Sequence, residues 1–267
     1  MHYNIVTCEL QGKVNIYLLR FLMYNLGCKG GDIVTRCEYF SDVLTYYDVV
    51  KVLSNKNDSE ILRLRHKELN RDIIFRSYSK SVLAYKKIKD ITHPNIPLVF
   101  DALDFDDGQI VFEEFIDGVT VAEVLEQGKY TYHGAKKIIE GVALALISLR
   151  ELDIIHRDIK PENIMVTRHG AIKLIDFNAA RIHTDSKSKD TVILGTIGYA
   201  PPEQYGISQS DQKSDIYSLG VLLNVMLTGL HPSKKLARGR AGKIVLKCTQ
   251  IDPNHRFFNL EKLIYAL

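Results

Sequence analysis

Four cysteines are all that this 267-residue sequence carries, at positions 8, 28, 37 and 248, and no two have Cys-x-x-Cys spacing. That scatter argues against a zinc site or a disulfide framework and points to free thiols in a reducing compartment. An excess of either charge is also missing. The 35 basic and 32 acidic residues leave a formal net charge of +3, too small to argue for nucleic acid or a membrane as partner. No apolar run has the length of a bilayer. The most apolar stretch, residues 14–28, is broken by Arg20 and Asn25, and no small-residue cleavage site follows it. A soluble, cytoplasmic protein is expected. Repeats and low-complexity segments are absent too, and residues 183–190 are the only flexible-looking stretch.

What is present is an ordinary globular balance, 46% hydrophobic and 25% charged, in a chain long enough for one large domain or two small ones. The densest chemistry lies at residues 156–163, His-Arg-Asp-Ile-Lys-Pro-Glu-Asn. An acid, a base and an amide crowd together there, behind a run with apolar residues at helical spacing (Ile138, Ile139, Val142, Leu146, Leu149). A tight catalytic loop best accounts for that grouping. Thirteen residues past Asn163 comes Asp176-Phe177-Asn178, preceded by the strand-like Ala171-Ile172-Lys173-Leu174-Ile175. Further on stands Gly195-Thr196-Ile197-Gly198-Tyr199-Ala200-Pro201-Pro202-Glu203.

In this order and spacing, the three motifs resemble those of eukaryotic-type (Hanks-type) serine/threonine protein kinases, in a divergent, bacterial-like form with a degenerate small lobe. The resemblance implies an α+β, two-lobed fold. A small antiparallel β lobe with one helix, hinge included, would occupy residues 46–116. A larger, mostly helical lobe, shortened at its C-terminal end, would occupy residues 117–267. Residues 1–45 match no part of that family. They read as a strand (3–8), a buried helix (14–26) and a turn (28–32), and a packing extension is the reading favoured for them.

The resemblance also implies ATP and Mg2+ as cofactors and a protein serine or threonine hydroxyl as acceptor. Asp158 would orient and deprotonate that hydroxyl, and Lys160 would steady the transferring phosphate. Asn163 and Asp176 would hold the magnesium, whose hardness suits oxygen ligands. Ile61, Arg76, Glu114 and Ile116 would line the nucleotide site, with residues 114–116 as the hinge. By the same resemblance Asp215 buttresses the backbone of the catalytic loop, and Arg256 pairs with Glu203. The sequence is silent on oligomeric state.

Several positions depart from the family pattern, most of them in the small lobe. Strands are expected at residues 49–53, 60–67 and 72–77. The turn between the first two, which carries three glycines in relatives, has Ser54, Lys56 and Ser59 instead. Ile73-Ile74-Phe75-Arg76 aligns with Val-Ala-x-Lys, so an arginine stands at the phosphate-gripping lysine, a change of geometry at equal charge. A helix is expected over residues 81–91, and its lysine-pairing glutamate falls on Ala84. Glu113 occupies the position guarding the back of the nucleotide pocket, either as a solvated strand-end carboxylate or as the replacement partner of Arg76. Arg63 then becomes either a source of phosphate charge or a solvated surface residue. Asn178 replaces a glycine, which asparagine tolerates best where the backbone turns left-handed.

Two readings stay open. The first is a serine/threonine kinase with weakened or conditional activity, favoured by the complete set Asp158, Asn163 and Asp176. The second is a pseudokinase, a nucleotide-sensing or scaffolding module, favoured by Arg76, Ala84 and the glycine-free turn. Thr184, Ser186, Ser188 and Thr191 are candidate phosphorylation sites, Thr191 first, with Arg157 as the cation that would receive the phosphate.

Overall fold

In the computed structural model, residues 35–56, 58–182, 198–205 and 211–267 are described. The expected elements at 3–8 and 14–26, the four hydroxyl residues from Thr184 to Thr191, and residues 195–197 lie outside them.

Five strands form the first sheet: β1 (Tyr47–Lys56), β2 (Ser59–His66), β3 (Asp72–Tyr78), β4 (Val99–Phe105) and β5 (Gly108–Glu114). All pairings are antiparallel, in the order β1-β2-β3-β5-β4. Alternation along the strands sorts their side chains onto two faces. Leu62, Leu64, Ile73, Phe75, Ile110 and Phe112 form one buried face. Helix α1 (Arg36–Tyr46) covers it with Tyr39 and Val43, its start fixed by a reciprocal cap between Thr35 and Glu38. This short helix is where the chain preceding the sheet meets the core. The other face carries Ile74, Arg76 and Tyr78 in a row, and it looks toward the rest of the protein.

Helix α2 (Leu83–Ile88) has six residues, shorter than the 81–91 expected from sequence. Val82 at its start is extended and offers no side-chain cap, and its N–H is taken by Gln109 Oε1 at 3.1 Å. Without a cap, only the part that packs stays helical: Ala84, Tyr85 and Ile88 are buried.

The larger lobe begins at β6 (Gly118–Thr120) and α3 (Val121–Gln127), the latter opened by the expected Thr120–Glu123 capping box. Helix α4 (Tyr132–Glu151) buries the five apolar residues that betrayed it in the sequence. Gly141 on α4 lets the helix approach closely, because a Cβ there would lie 2.8 Å from the side chain of Ile172. Strands β7 (Ile154–Ile155), β8 (Ile164–Thr167), β9 (Ile172–Leu174) and β10 (Arg181–Ile182) follow. β7 pairs with β10, and β6, β8 and β9 form a small sheet. These ladders clamp the ends of two loops, 156–163 and 175–180, so that they lie side by side. Helix α5 (Gln212–Thr228), buried nearly all round, then α6 (Gly239–Cys248) and α7 (Leu260–Ala266) complete the core.

Candidate active site

The loop at 156–163 is held from beneath. Asp215, buried near the start of α5, accepts the backbone N–H of His156 at 3.1 Å and of Arg157 at 2.9 Å. Those bonds steady Arg157 at φ +68°, a left-handed conformation that a non-glycine residue adopts only when surroundings impose it. Burial pushes the Asp215 carboxyl up to about 6 in spite of the two donors. The His156 ring is fully buried, which pulls its pKa down to about 4 and keeps it neutral. Its Nε2 lies 3.3 Å from the Ile175 carbonyl, so its other face can serve the loop: Nδ1 accepts the Asp158 N–H at 3.4 Å.

On this platform Asp158, Lys160 and Asn163 converge. Lys160 Nζ stands 2.7 Å from Asp158 Oδ2. Asn163 Nδ2 donates at 2.8 Å both to the same carboxylate oxygen and to the Asp158 carbonyl. Asp158 is thereby fixed in direction beside a neighbouring cation, as a proton acceptor needs to be. The Asn163 carbonyl receives the Ile175 N–H at 2.9 Å, tying this loop to the residue that precedes Asp176.

Asp176 itself is half-buried at φ +65°. The left-handed turn of this loop therefore falls on Asp176 and not on Asn178, where the sequence suggested it. Phe177 is driven fully into the core and Asn178 faces solvent, so position 178 has no need of glycine. Phe177 packs edge-on against His156, with ring centres 5.3 Å apart, and against Tyr85 at 5.7 Å.

Arg76 and Glu113 form the ion pair that the sequence alignment suggested. Nε and Nη2 each lie 2.7 Å from Glu113 Oε1, and both side chains are about 95% buried or more. The register explains the contact: Arg76 sits opposite Val111, so Glu113 is its diagonal neighbour on the same face. Burial opposes the charge of Arg76, but the Glu113 carboxylate, joined by Tyr85, Tyr78 and Asp176, holds the guanidinium well above its ordinary pKa. Burial raises Glu113 above the ordinary carboxylate range, with Arg76 pulling the other way. Glu113 is thus no solvated strand end. Arg76 Nη1 also reaches Asp176 Oδ1 at 3.4 Å.

The remaining expected residues separate into two groups. Ile61 is the cross-strand partner of Arg76 and shares its face. Ile116 is buried, and no described residue accepts its N–H. Glu114 keeps its side chain for structure, taking the Leu98 N–H and Lys173 Nζ at 3.0 Å each. Arg63 is not simply solvated: Asp72 binds it, and it lies 4.1 Å over the Phe115 ring. Ala84 is buried in the core, and its neighbour Tyr85 lies close enough to Arg76 to act on its charge. Lower in the structure, Arg256 and Glu203 form the expected buried pair, with Arg256 Nη2 2.9 Å from Glu203 Oε2 and Ser214 Oγ adding a bond at 3.1 Å.

The donor set suits a hard divalent cation. Asn163 and Asp176 offer oxygens only, and no group of three or more His, Cys, Asp or Glu side chains that could cage a metal occurs among the described residues. Two protein ligands with the rest from phosphate and water is the habit of Mg2+. No described helix is long and apolar enough to cross a membrane.

Residues 48–259 match the sequence model of the protein kinase domain. The chain is 32% identical over 199 residues to a probable serine/threonine-protein kinase of Clostridium perfringens, covering 70% of this chain and 29% of that one. It is 32% identical over 171 residues to the probable serine/threonine-protein kinase PknB of Lactococcus lactis (63% and 27%). To the serine/threonine-protein kinase PrkC of Bacillus subtilis it is 31% identical over 198 residues (65% and 31%). The chain thus spans about three tenths of the length of these relatives.

Proposed function

The chain belongs to the protein kinase family, and from that premise we propose that it transfers the γ-phosphoryl group of ATP to a serine or threonine hydroxyl of a protein. The observation that carries this reading is the Lys160–Asp158–Asn163 cluster, joined by the Asn163–Ile175 backbone bond to Asp176. In the reaction the acceptor oxygen bonds to the γ-phosphorus and the bond to the bridging β–γ oxygen breaks. The hydroxyl proton passes to the Asp158 carboxylate, which its two bonded neighbours aim. Lys160, paired with Asp158, lies where its charge can offset that gathering on the transferred group. Asn163 and Asp176 would hold Mg2+, which supplies charge neutralisation at the phosphates. The hinge backbone at Glu114 and Ile116, with Ile61 above, would receive adenine.

A second reading, a nucleotide-sensing or scaffolding pseudokinase, draws on one observation: Arg76 is held by Glu113 inside the sheet. The two readings separate in a single series. The protein is titrated with ATP in magnesium and in EDTA, then incubated with labelled ATP. Magnesium-dependent binding followed by label on serine or threonine supports the kinase. Binding without transfer favours the sensor, and no binding favours the scaffold.

A further inference from the structure

In the family pattern a lysine on the third strand and a glutamate on the following helix bridge the two elements and set the nucleotide site. Here Arg76 has gone to Glu113, and the helix carries no acid: α2 reads Leu-Ala-Tyr-Lys-Lys-Ile. Something else must join α2 to the loop bearing Asp176, or the loop would be free to move relative to the small lobe.

That join is made by a phenol. Tyr85, fully buried on α2, accepts the backbone N–H of Phe177 at its hydroxyl, 3.3 Å away. The same hydroxyl lies 3.2 Å from that of Tyr78, at the end of β3, and the two rings stack with centres 5.9 Å apart. Tyr78, Tyr85, Phe177 and His156 therefore form an unbroken line of ring contacts from strand to helix to both loops. The Phe177 amide belongs to the peptide bond that leaves Asp176, so the bond acts on the residue whose backbone is left-handed at φ +65°. A neutral phenol suits this interior better than a carboxylate would. Arg76, already neutralised by Glu113, leaves no cation to spare for a second buried acid.

We propose that Tyr85 is a positioning residue. Its hydroxyl meets that of Tyr78 and so takes over from the missing ion pair the joining of β3 to α2, carries that join on to the Asp176 loop through the Phe177 amide, and acts on the metal site through Asp176. The inference rests on the kinase reading above for its purpose, though the contact itself does not.

Tyr85→Phe tests it, because the ring and its packing remain and only the oxygen is lost. Three quantities are compared with the wild type: hydrogen exchange at the Phe177 amide in the ligand-free protein, and affinity for the non-hydrolysable analogue adenosine 5′-imidotriphosphate in EDTA and in magnesium. The expected result is roughly tenfold faster Phe177 exchange and roughly tenfold weaker binding in magnesium, the worth of one hydrogen bond to a buried donor, with binding in EDTA unchanged. Tyr78→Phe should give the same pattern with a smaller change. Unaltered Phe177 exchange, or magnesium-dependent binding equal in variant and wild type, overturns the proposal. Wild-type protein that binds no magnesium–nucleotide overturns the kinase reading and the positioning role together, and is told apart by the wild-type titration alone.

Discussion

The guanidinium of Arg76 turns back along its own sheet, and two of its nitrogens stand 2.7 Å from one oxygen of Glu113. Its charge is thereby spent inside the protein, and among the described residues one longer contact, 3.4 Å to Asp176, links it to the candidate site. Among the described residues the cation beside Asp158 is then Lys160, and any metal that Asn163 and Asp176 would hold adds to it. Nucleotide affinity should accordingly fall steeply when magnesium is withdrawn.

Breaking this pair should cost more stability than activity arguments alone suggest. Arg76→Ala leaves Glu113 charged and buried without a partner, and a loss of roughly 3–5 kcal/mol in urea denaturation is expected. Replacing both together, Arg76→Met with Glu113→Leu, should recover most of it, since the apolar pair escapes the desolvation penalty. A double variant as unstable as Arg76→Ala would show that the pair is not what is being lost.

The buried pair Glu203–Arg256 supports a second expectation. Arg256 also donates to the carbonyls of Gln250, Ile251 and Lys213, so it ties two backbone segments to the segment around Glu203. Arg256→Met should destabilise the large lobe by about 3–5 kcal/mol, while Arg256→Lys, unable to form the fork, should recover only part. Equal stability of Lys and wild type would remove the argument from geometry.

A third expectation concerns pH and His156. Its folded pKa, near 4, lies below the ordinary value of 6.5. Below pH 4 it is protonated in both states, above 6.5 in neither, and between the two only the unfolded chain binds the proton. Stability attributable to His156 should therefore rise with pH across that window and be lost as pH falls through it. In the difference between wild type and His156→Phe this amounts to about 3 kcal/mol. Asp215, raised to about 6, works in the opposite direction, its contribution falling as pH rises from about 4 to 6. The wild type alone should thus show little net slope from these two groups. A flat difference between wild type and His156→Phe would refute the assignment.

The parts of the fold that were legible in the sequence are those where local pattern and global packing agree. Helix α4 showed its buried face directly, the box at Thr120–Glu123 marked the start of α3, and Asp215 and Arg256 stood where the family pattern implied. The pairing of Arg76 with Glu113 was legible because strand register makes diagonal neighbours of residues on adjacent strands. Where the reading slipped, tertiary contacts had overridden local signals. Counting from His93-Pro94 assumed a full-length helix, but α2 keeps only its packed turns, and the side chain that reaches the Asp176 loop is that of Tyr85. Two tyrosines seven residues apart, on either side of the strand–helix junction, were the available signal. The left-handed residue was sought at Asn178 because a glycine is missing there, while Asp176, held by Phe177 and Tyr85, takes that conformation itself. Arg63 was read as solvated or functional, since its acceptor, Asp72, lies across the hairpin and not beside it in sequence.

The most direct test of the account is phosphoryl transfer by wild type and Asp158→Asn, measured with labelled ATP, magnesium and a generic protein acceptor. The substitution keeps the side-chain shape but removes the carboxylate that Lys160 and Asn163 aim, so melting temperature and magnesium–nucleotide affinity should hold nearly constant. Transfer should drop by about 10²–10⁴, the usual worth of a positioned general base. Transfer by Asp158→Asn at the wild-type rate, or a wild type that binds magnesium–ATP yet labels no serine or threonine, would contradict it.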